Sequence, residues 1–169
     1  KTHNKNLKNP KMEEEENESL LEMVSYEDNH IYFYDHVNTK SILLLIKYIK
    51  LINFNLHKLQ METELKYNLN SSITFEIFLH INSYGGYITD VLAGVDAIQN
   101  SKFPVTTIVE GVAASCGSIL SVVGNKRLIT KNSSILIHQL SDGCIGTHEQ
   151  LKDNLLNSSY LQDKCNKIY

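Results

Sequence analysis

Twice in this chain an apolar run of β-formers breaks into small residues, and a helical pattern starts at once. The first junction runs from Phe75–Ile81 through Asn82-Ser83-Tyr84-Gly85-Gly86 to Ile88, Val91, Leu92, Val95 and Ile98, which recur at helical spacing. The second runs from Val105–Val109, opened by Pro104, through the turn Gly111-Val112-Ala113-Ala114-Ser115 to a short apolar helix ending near Val123. Strand, turn and helix in repeated alternation specify α/β layers built from βα units. The flanking segments fit that frame. Ile31–Tyr34 reads as a strand, and Thr39 or Ser41 caps a helix with Ile42, Leu45, Ile46, Ile49 and Phe54 on one face. The Asn/Ser-rich stretch 61–72 reads as a loop, and 126–130 and 134–138 as further strands. Thr147-His148-Glu149-Gln150 has the capping-box form and opens a helix with Leu151, Leu155 and Leu156 on its apolar side.

At 169 residues and 42% hydrophobic content the chain is long enough for one domain with its own core. Residues 1–20 stand apart. Lys1, Lys5, Lys8 and Lys11 are followed by Glu13, Glu14, Glu15, Glu16 and Glu18, and like-charge blocks repel, so a flexible tail precedes a folded unit over 21–169. The net charge of -3 argues against nucleic-acid binding. The apolar run Ile42–Ile46 is too short to span a bilayer, and no leader-like segment precedes it, so no membrane role is expected. Cys116, Cys144 and Cys165 are too few and scattered for a disulfide framework, which points to a reducing, cytoplasmic setting. His30, His36, His57 and His80 lack metal-ligand spacing, and no phosphate-binding loop occurs, so neither a metal nor a nucleotide site is expected.

Three elements carry candidate chemistry. Gly85-Gly86 lets bare N–H groups approach a ligand at a helix start, as an oxyanion hole requires; a tight turn alone would read the same way. Ser115 sits among small residues at a helix start, a setting for an unshielded nucleophile, though local sequence alone favours an N-cap. Ser118 is the rival hydroxyl, expected inside the helix and bonded back to its backbone. His138 ends the apolar run Ile135-Leu136-Ile137 and is either a general base or a half-buried core histidine. His148, at a helix start, is expected to face solvent.

Ser115 stands 29 positions after Gly86, and His138 stands 23 after Ser115. With Ile81-Asn82-Ser83-Tyr84-Gly85-Gly86, Gly111-Val112-Ala113-Ala114-Ser115-Cys116-Gly117 and Ile137-His138-Gln139, this order resembles the proteolytic subunit of the Clp protease, from about Ile31 to Tyr169. The resemblance implies a crotonase-type α/β fold of repeated ββα units with a C-terminal handle helix from Thr147. It implies a serine endopeptidase with Ser115 as nucleophile, His138 as base, and the amides of Gly86 and Cys116 as the oxyanion hole. Gly85, Gly143, Cys144 and Ile145 fall at substrate-binding positions, the last three on a strand that a peptide could join. Implied partners are further copies in stacked heptameric rings, an unfolded polypeptide substrate, and an AAA+ unfoldase that alone would use ATP, with no cofactor in this chain. Tyr84 replaces the family's usual Pro and Cys116 its usual Met, while residues 50–72 look longer than the family's connection. The family's third triad residue, an Asp, is expected beyond Tyr169. Two alternatives stand beside this reading: a catalytically silent ring subunit, and a crotonase-fold enzyme acting on acyl-CoA thioesters.

Overall fold

Strand β4 (Val105–Ala114) is the spine of the molecule, because it pairs with three others. The computed structural model describes residues 23–67 and 74–169; the expected tail 1–20 lies outside them. The elements in order are β1 (Val24–Glu27), β2 (His30–Phe33), α1 (Thr39–Tyr67), β3 (Ile77–Ser83), α2 (Ile88–Gln99), β4, α3 (Cys116–Val122), β5 (Lys126–Ile129), β6 (Ser134–Leu136) and α4 (His148–Ile168). The sheet runs β1-β2-β3-β4-β5, with β6 paired to β4 off this path. β1 is antiparallel to β2, and all other pairings are parallel. β4 divides its length between two neighbours: Thr106–Val109 pair with β5, and Val112–Ala114 with β6. The change falls at Gly111, whose φ of 98° favours glycine. Asn82 Oδ1 accepts from the Val112 N–H there (3.2 Å), where the β3–β4 register also shifts.

Alternation puts Ile31, Phe33, Ile77, Leu79, Ile81, Val105 and Val109 on one face, all buried. Against that face pack Ile42, Leu45, Ile49 and Ile52 of α1, and Val91, Val95 and Ile98 of α2. Each such side chain contributes about 1.5–3 kcal/mol when fully buried.

Several expectations need correction. The N-cap of α1 is Asn38, whose Oδ1 accepts from the Ser41 N–H (3.0 Å), not Thr39 or Ser41. Phe54 is exposed, and Ile52 takes the buried place. The expected loop from 61 is helical as far as Tyr67: Met, Glu, Leu and Lys favour helix, Lys58 pairs with Glu62, and Thr63 Oγ1 donates to the Leu59 carbonyl. Residues 68–72 of that loop lie outside the described residues. β3 continues through Asn82 to Ser83 and β4 through Gly111 to Ala114, so both turns are tighter than expected. The strand expected over 134–138 stops at Leu136, and β1 was not foreseen. Leu151, Leu155 and Leu156 face solvent in the single chain, as do Leu128, Ile129 and Leu136.

The opposite face of the sheet brings together histidines that are far apart in sequence. His30 Nδ1 lies 2.8 Å from His80 Nε2, and His80 Nδ1 lies 2.8 Å from Glu110 Oε1. The Tyr34 hydroxyl donates to Glu110 Oε2 (2.5 Å), while Tyr32 stacks on His80 and Phe78 on His30. Burial alone would raise the Glu110 carboxyl, but the bonds from Tyr34 and His80 outweigh it and hold the group below its ordinary value. Tyr34 is pushed up to about 12, first by burial and then by its bond to Glu110.

Candidate active site

The elbow between β4 and α3 is strained. Ser115 has φ 54° and ψ −124°, a conformation that costs a residue with a Cβ about 1–3 kcal/mol. Its place is that of the α3 N-cap, yet its side chain makes no capping bond. The backbone is pinned instead: Ser115 N–H donates to the Leu136 carbonyl of β6 (2.8 Å), and its own carbonyl accepts from Ser118 N–H and Oγ. The capping reading of Ser115 therefore fails, and the hydroxyl is left to the half-buried mouth of the elbow. Ser118 is fully buried and bonded back to the helix as expected, with the Tyr169 hydroxyl 2.6 Å from its Oγ.

The Gly-Gly turn folds under this elbow. A Cβ on Gly85 would come within 2.7 Å of the Ala114 carbonyl oxygen and the Ser115 Cβ, and one on Gly86 within 2.0 Å of the Val37 carbonyl oxygen. No side chain fits at either place, which is why the sequence carries two glycines here. Tyr84, beside them, is exposed. The Cys116 thiol donates to the Gly86 carbonyl (3.1 Å), so α3 and the Gly-Gly turn are joined directly. Burial pushes that thiol's pKa up. Among the described residues, neither the Gly86 nor the Cys116 N–H is spent on a backbone carbonyl.

Gly86, Ser115, Cys116 and His138 line one cleft of about 390 Å³. Its walls include Ile88, Ile119 and Leu140, and α4 contributes Gln162, Cys165 and Asn166. His138 is exposed, not a core histidine, and its Nδ1 lies 2.6 Å from the Gln139 carbonyl oxygen. A carbonyl only accepts, so in the neutral ring Nδ1 carries the proton and Nε2 the lone pair. That is the tautomer a base needs. Asp142, the nearest acid after it, is committed elsewhere. Its carboxylate accepts from Ser158 Oγ, the Gly143 N–H and Asn154 Nδ2, and these bonds, Ser158 first, hold its pKa below the usual range. Asp163 on α4 is exposed. Among the described residues no carboxylate bonds to His138. Gly85 lies beneath the cleft instead of lining it, and Gly143, Cys144 and Ile145 are exposed outside it, on a stretch that pairs with no strand. His148 faces solvent.

Sequence reasoning missed Gln162 and Asn166, because polar residues in a polar helix carry no periodic signal; only the fold brings them 22 and more positions back to the His138 segment.

Gly86 lies three residues past the end of β3, Ser115 one past β4 and His138 two past β6, so all three gather at the carboxyl ends of parallel strands, where open α/β sheets bind ligands. This is an α/β protein of crotonase-like layering with a serine–histidine cleft. The chain belongs to the Clp protease family: the family model described as Clp protease matches residues 26–169. It is similar to the ATP-dependent Clp protease proteolytic subunit of Leuconostoc citreum (strain KM20), 40% identical over 99 residues, covering 56% of this chain and 50% of that protein. It is also similar to the ATP-dependent Clp protease proteolytic subunit of Cyanophora paradoxa, 37% identical over 107 residues, covering 62% and 55%. The chain thus spans about half the length of the curated relatives it matches. Among the described residues, no helix is long and apolar enough to cross a membrane.

Proposed function

We propose that this chain is a serine endopeptidase of the Clp proteolytic-subunit type that cleaves unfolded polypeptides. The observation that carries the reading is Ser115: a strained, uncapped serine at a helix start, sharing one cleft with a histidine whose Nε2 is free to accept a proton. Ser115 Oγ attacks the peptide carbonyl carbon as its proton passes to His138 Nε2. The oxygen that gains charge is met by the Gly86 and Cys116 N–H groups, each donor of this kind contributing roughly 3 kcal/mol in well-studied cases. His138 then gives its proton to the leaving amine as the C–N bond breaks. Water, deprotonated by His138, releases the acyl group and restores Ser115.

The exposed Leu128, Ile129, Leu136, Leu155 and Leu156 support assembly with further copies, in stacked heptameric rings by family analogy. An AAA+ unfoldase would spend the ATP, and a cytoplasmic setting suits three free thiols. An acyl-CoA enzyme of the crotonase type would use Gly86 without needing Ser115 and His138 together, and a silent subunit would need neither. A fluorophosphonate probe separates the readings. It should label Ser115 in the unaltered chain and in Ser118→Ala, and not in Ser115→Ala. Loss of labelling in Ser118→Ala alone would transfer the role to the other hydroxyl, and no labelling at all would overturn the peptidase reading.

A further inference from the structure

His138 does not sit on the sheet. β6 ends at Leu136, and from Ile137 to Gly146 the chain pairs with no strand. What holds this stretch is α4. The Leu140 N–H donates to Gln162 Oε1 (2.7 Å), and farther along Asp142 accepts from Ser158 and Asn154 of the same helix. The orientation of the Gln162 amide is set in turn: its Nε2 donates to Asn166 Oδ1 (2.8 Å), one helical turn on, which leaves Oε1 to face Leu140. Gln162 is half-buried and lines the same cleft as Ser115 and His138.

We propose that Gln162 is a positioning residue for the histidine base, acting through its bond to the Leu140 N–H. The inference rests on the Ser115–His138 reading above. His138 is held on one side by β6, whose last residue is two positions back, and on the other by the Leu140 N–H two positions on. Without the second hold, the backbone of residues 137–140 turns about the end of β6. The Gln139 carbonyl that sets the His138 tautomer belongs to the same stretch, so orientation and protonation pattern loosen together. A misplacement of about 1 Å can cost on the order of 10²-fold in rate.

The test compares the full chain with Gln162→Met, which keeps length and helix propensity but removes the acceptor, and Gln162→Glu, which keeps an acceptor oxygen. The readouts are the rate of fluorophosphonate labelling at Ser115, kcat and KM on a fluorogenic peptide, and hydrogen exchange of the 137–142 backbone. We expect Gln162→Met to slow labelling and kcat by about 10- to 100-fold, and to lose protection at Leu140. Gln162→Glu should recover both to within about threefold. Should Gln162→Met fail to fold, Asn166→Ala, which frees the Gln162 amide to turn, should lower labelling and Leu140 protection in the same sense. Full labelling and kcat in Gln162→Met, or no recovery in Gln162→Glu, overturns this inference while leaving the peptidase reading standing. An unaltered chain that neither labels nor cleaves overturns that reading, and this inference with it.

Discussion

Replacing Ser115 by alanine and by glycine separates the cost of the elbow from its chemistry. Both variants lose the hydroxyl and should be equally dead to the fluorophosphonate probe. They differ only in the Cβ, and Ser115 holds φ 54° and ψ −124°. A residue with a Cβ spends about 1–3 kcal/mol in such a region. Glycine avoids that but loses about 0.5–1 kcal/mol more conformational entropy on folding than alanine. The glycine variant should therefore be more stable than the alanine variant by about 1 kcal/mol, at the middle of a span of about 0–2.5 kcal/mol. For a chain of this size one kcal/mol moves Tm by about 2–4 °C, so the gap should be about 2–4 °C at the middle of that span. Urea and thermal melts followed by circular dichroism would measure it, at matched protein concentration because assembly adds its own stabilisation. A glycine variant less stable than the alanine variant by about 0.5–1 kcal/mol would mean that the elbow stores no strain, and the argument from an uncapped, strained serine would lose its first premise.

The Tyr34–Glu110–His80 network predicts a stability profile on both sides of neutral pH. Glu110 is held below its ordinary value, so its contribution is present above the unfolded pKa and lost as pH falls through the folded one; Glu110→Gln should flatten that acid limb in urea midpoints. Tyr34, raised to about 12, contributes below about pH 10 and loses that contribution as pH rises towards 12; an alkaline limb unchanged in Tyr34→Phe would remove it from the account. Asp142→Asn should change Ser115 labelling by less than about threefold, against the roughly 10⁴-fold loss in turnover when a triad aspartate becomes asparagine; a loss of that size would make Asp142 the His138 partner after all. Light scattering should find a particle of many copies, and a clean monomer at micromolar concentration would count against ring assembly.

Much of the frame was legible in the residues themselves. The two strand-to-helix junctions lie where alternation breaks into small residues, and the capping box at Thr147 and Gln150 is formed as its spacing predicts. What stayed hidden depends on contacts between distant segments. Beyond Leu56 the apolar residues of α1, Leu59, Met61 and Leu65, are exposed, so no buried face marks the end of the helix, and local pairs support it. The His30–His80–Glu110 cluster exists because of sheet register, which sets His80 opposite Tyr32 and Ile108. Ser115 reads locally as a cap, and only the pull of Leu136 on its N–H, with Gly85 packed below, turns its backbone to positive φ. Likewise residues 137 and 138 read as the end of a strand, and the resemblance implies a strand at Gly143, Cys144 and Ile145, but all of these lie past the last ladder position of β4 at Ala114.

The divided pairing of β4 gives the cleft a shared point of failure. The last residues of that strand lie against β6 alone on one side, the Leu136 carbonyl holds the Ser115 N–H, and His138 is two residues farther along the same chain. Peeling β6 away therefore releases nucleophile and base in one event, while the longer β3–β4 and β4–β5 ladders remain closed. On the peptidase reading proposed above, a molecule that has opened at this seam is not a slower enzyme but an inert one with its core intact, and reclosing one three-residue ladder returns it to service. Activity then measures the fraction of closed seams, a quantity that thermal melting of the core does not register.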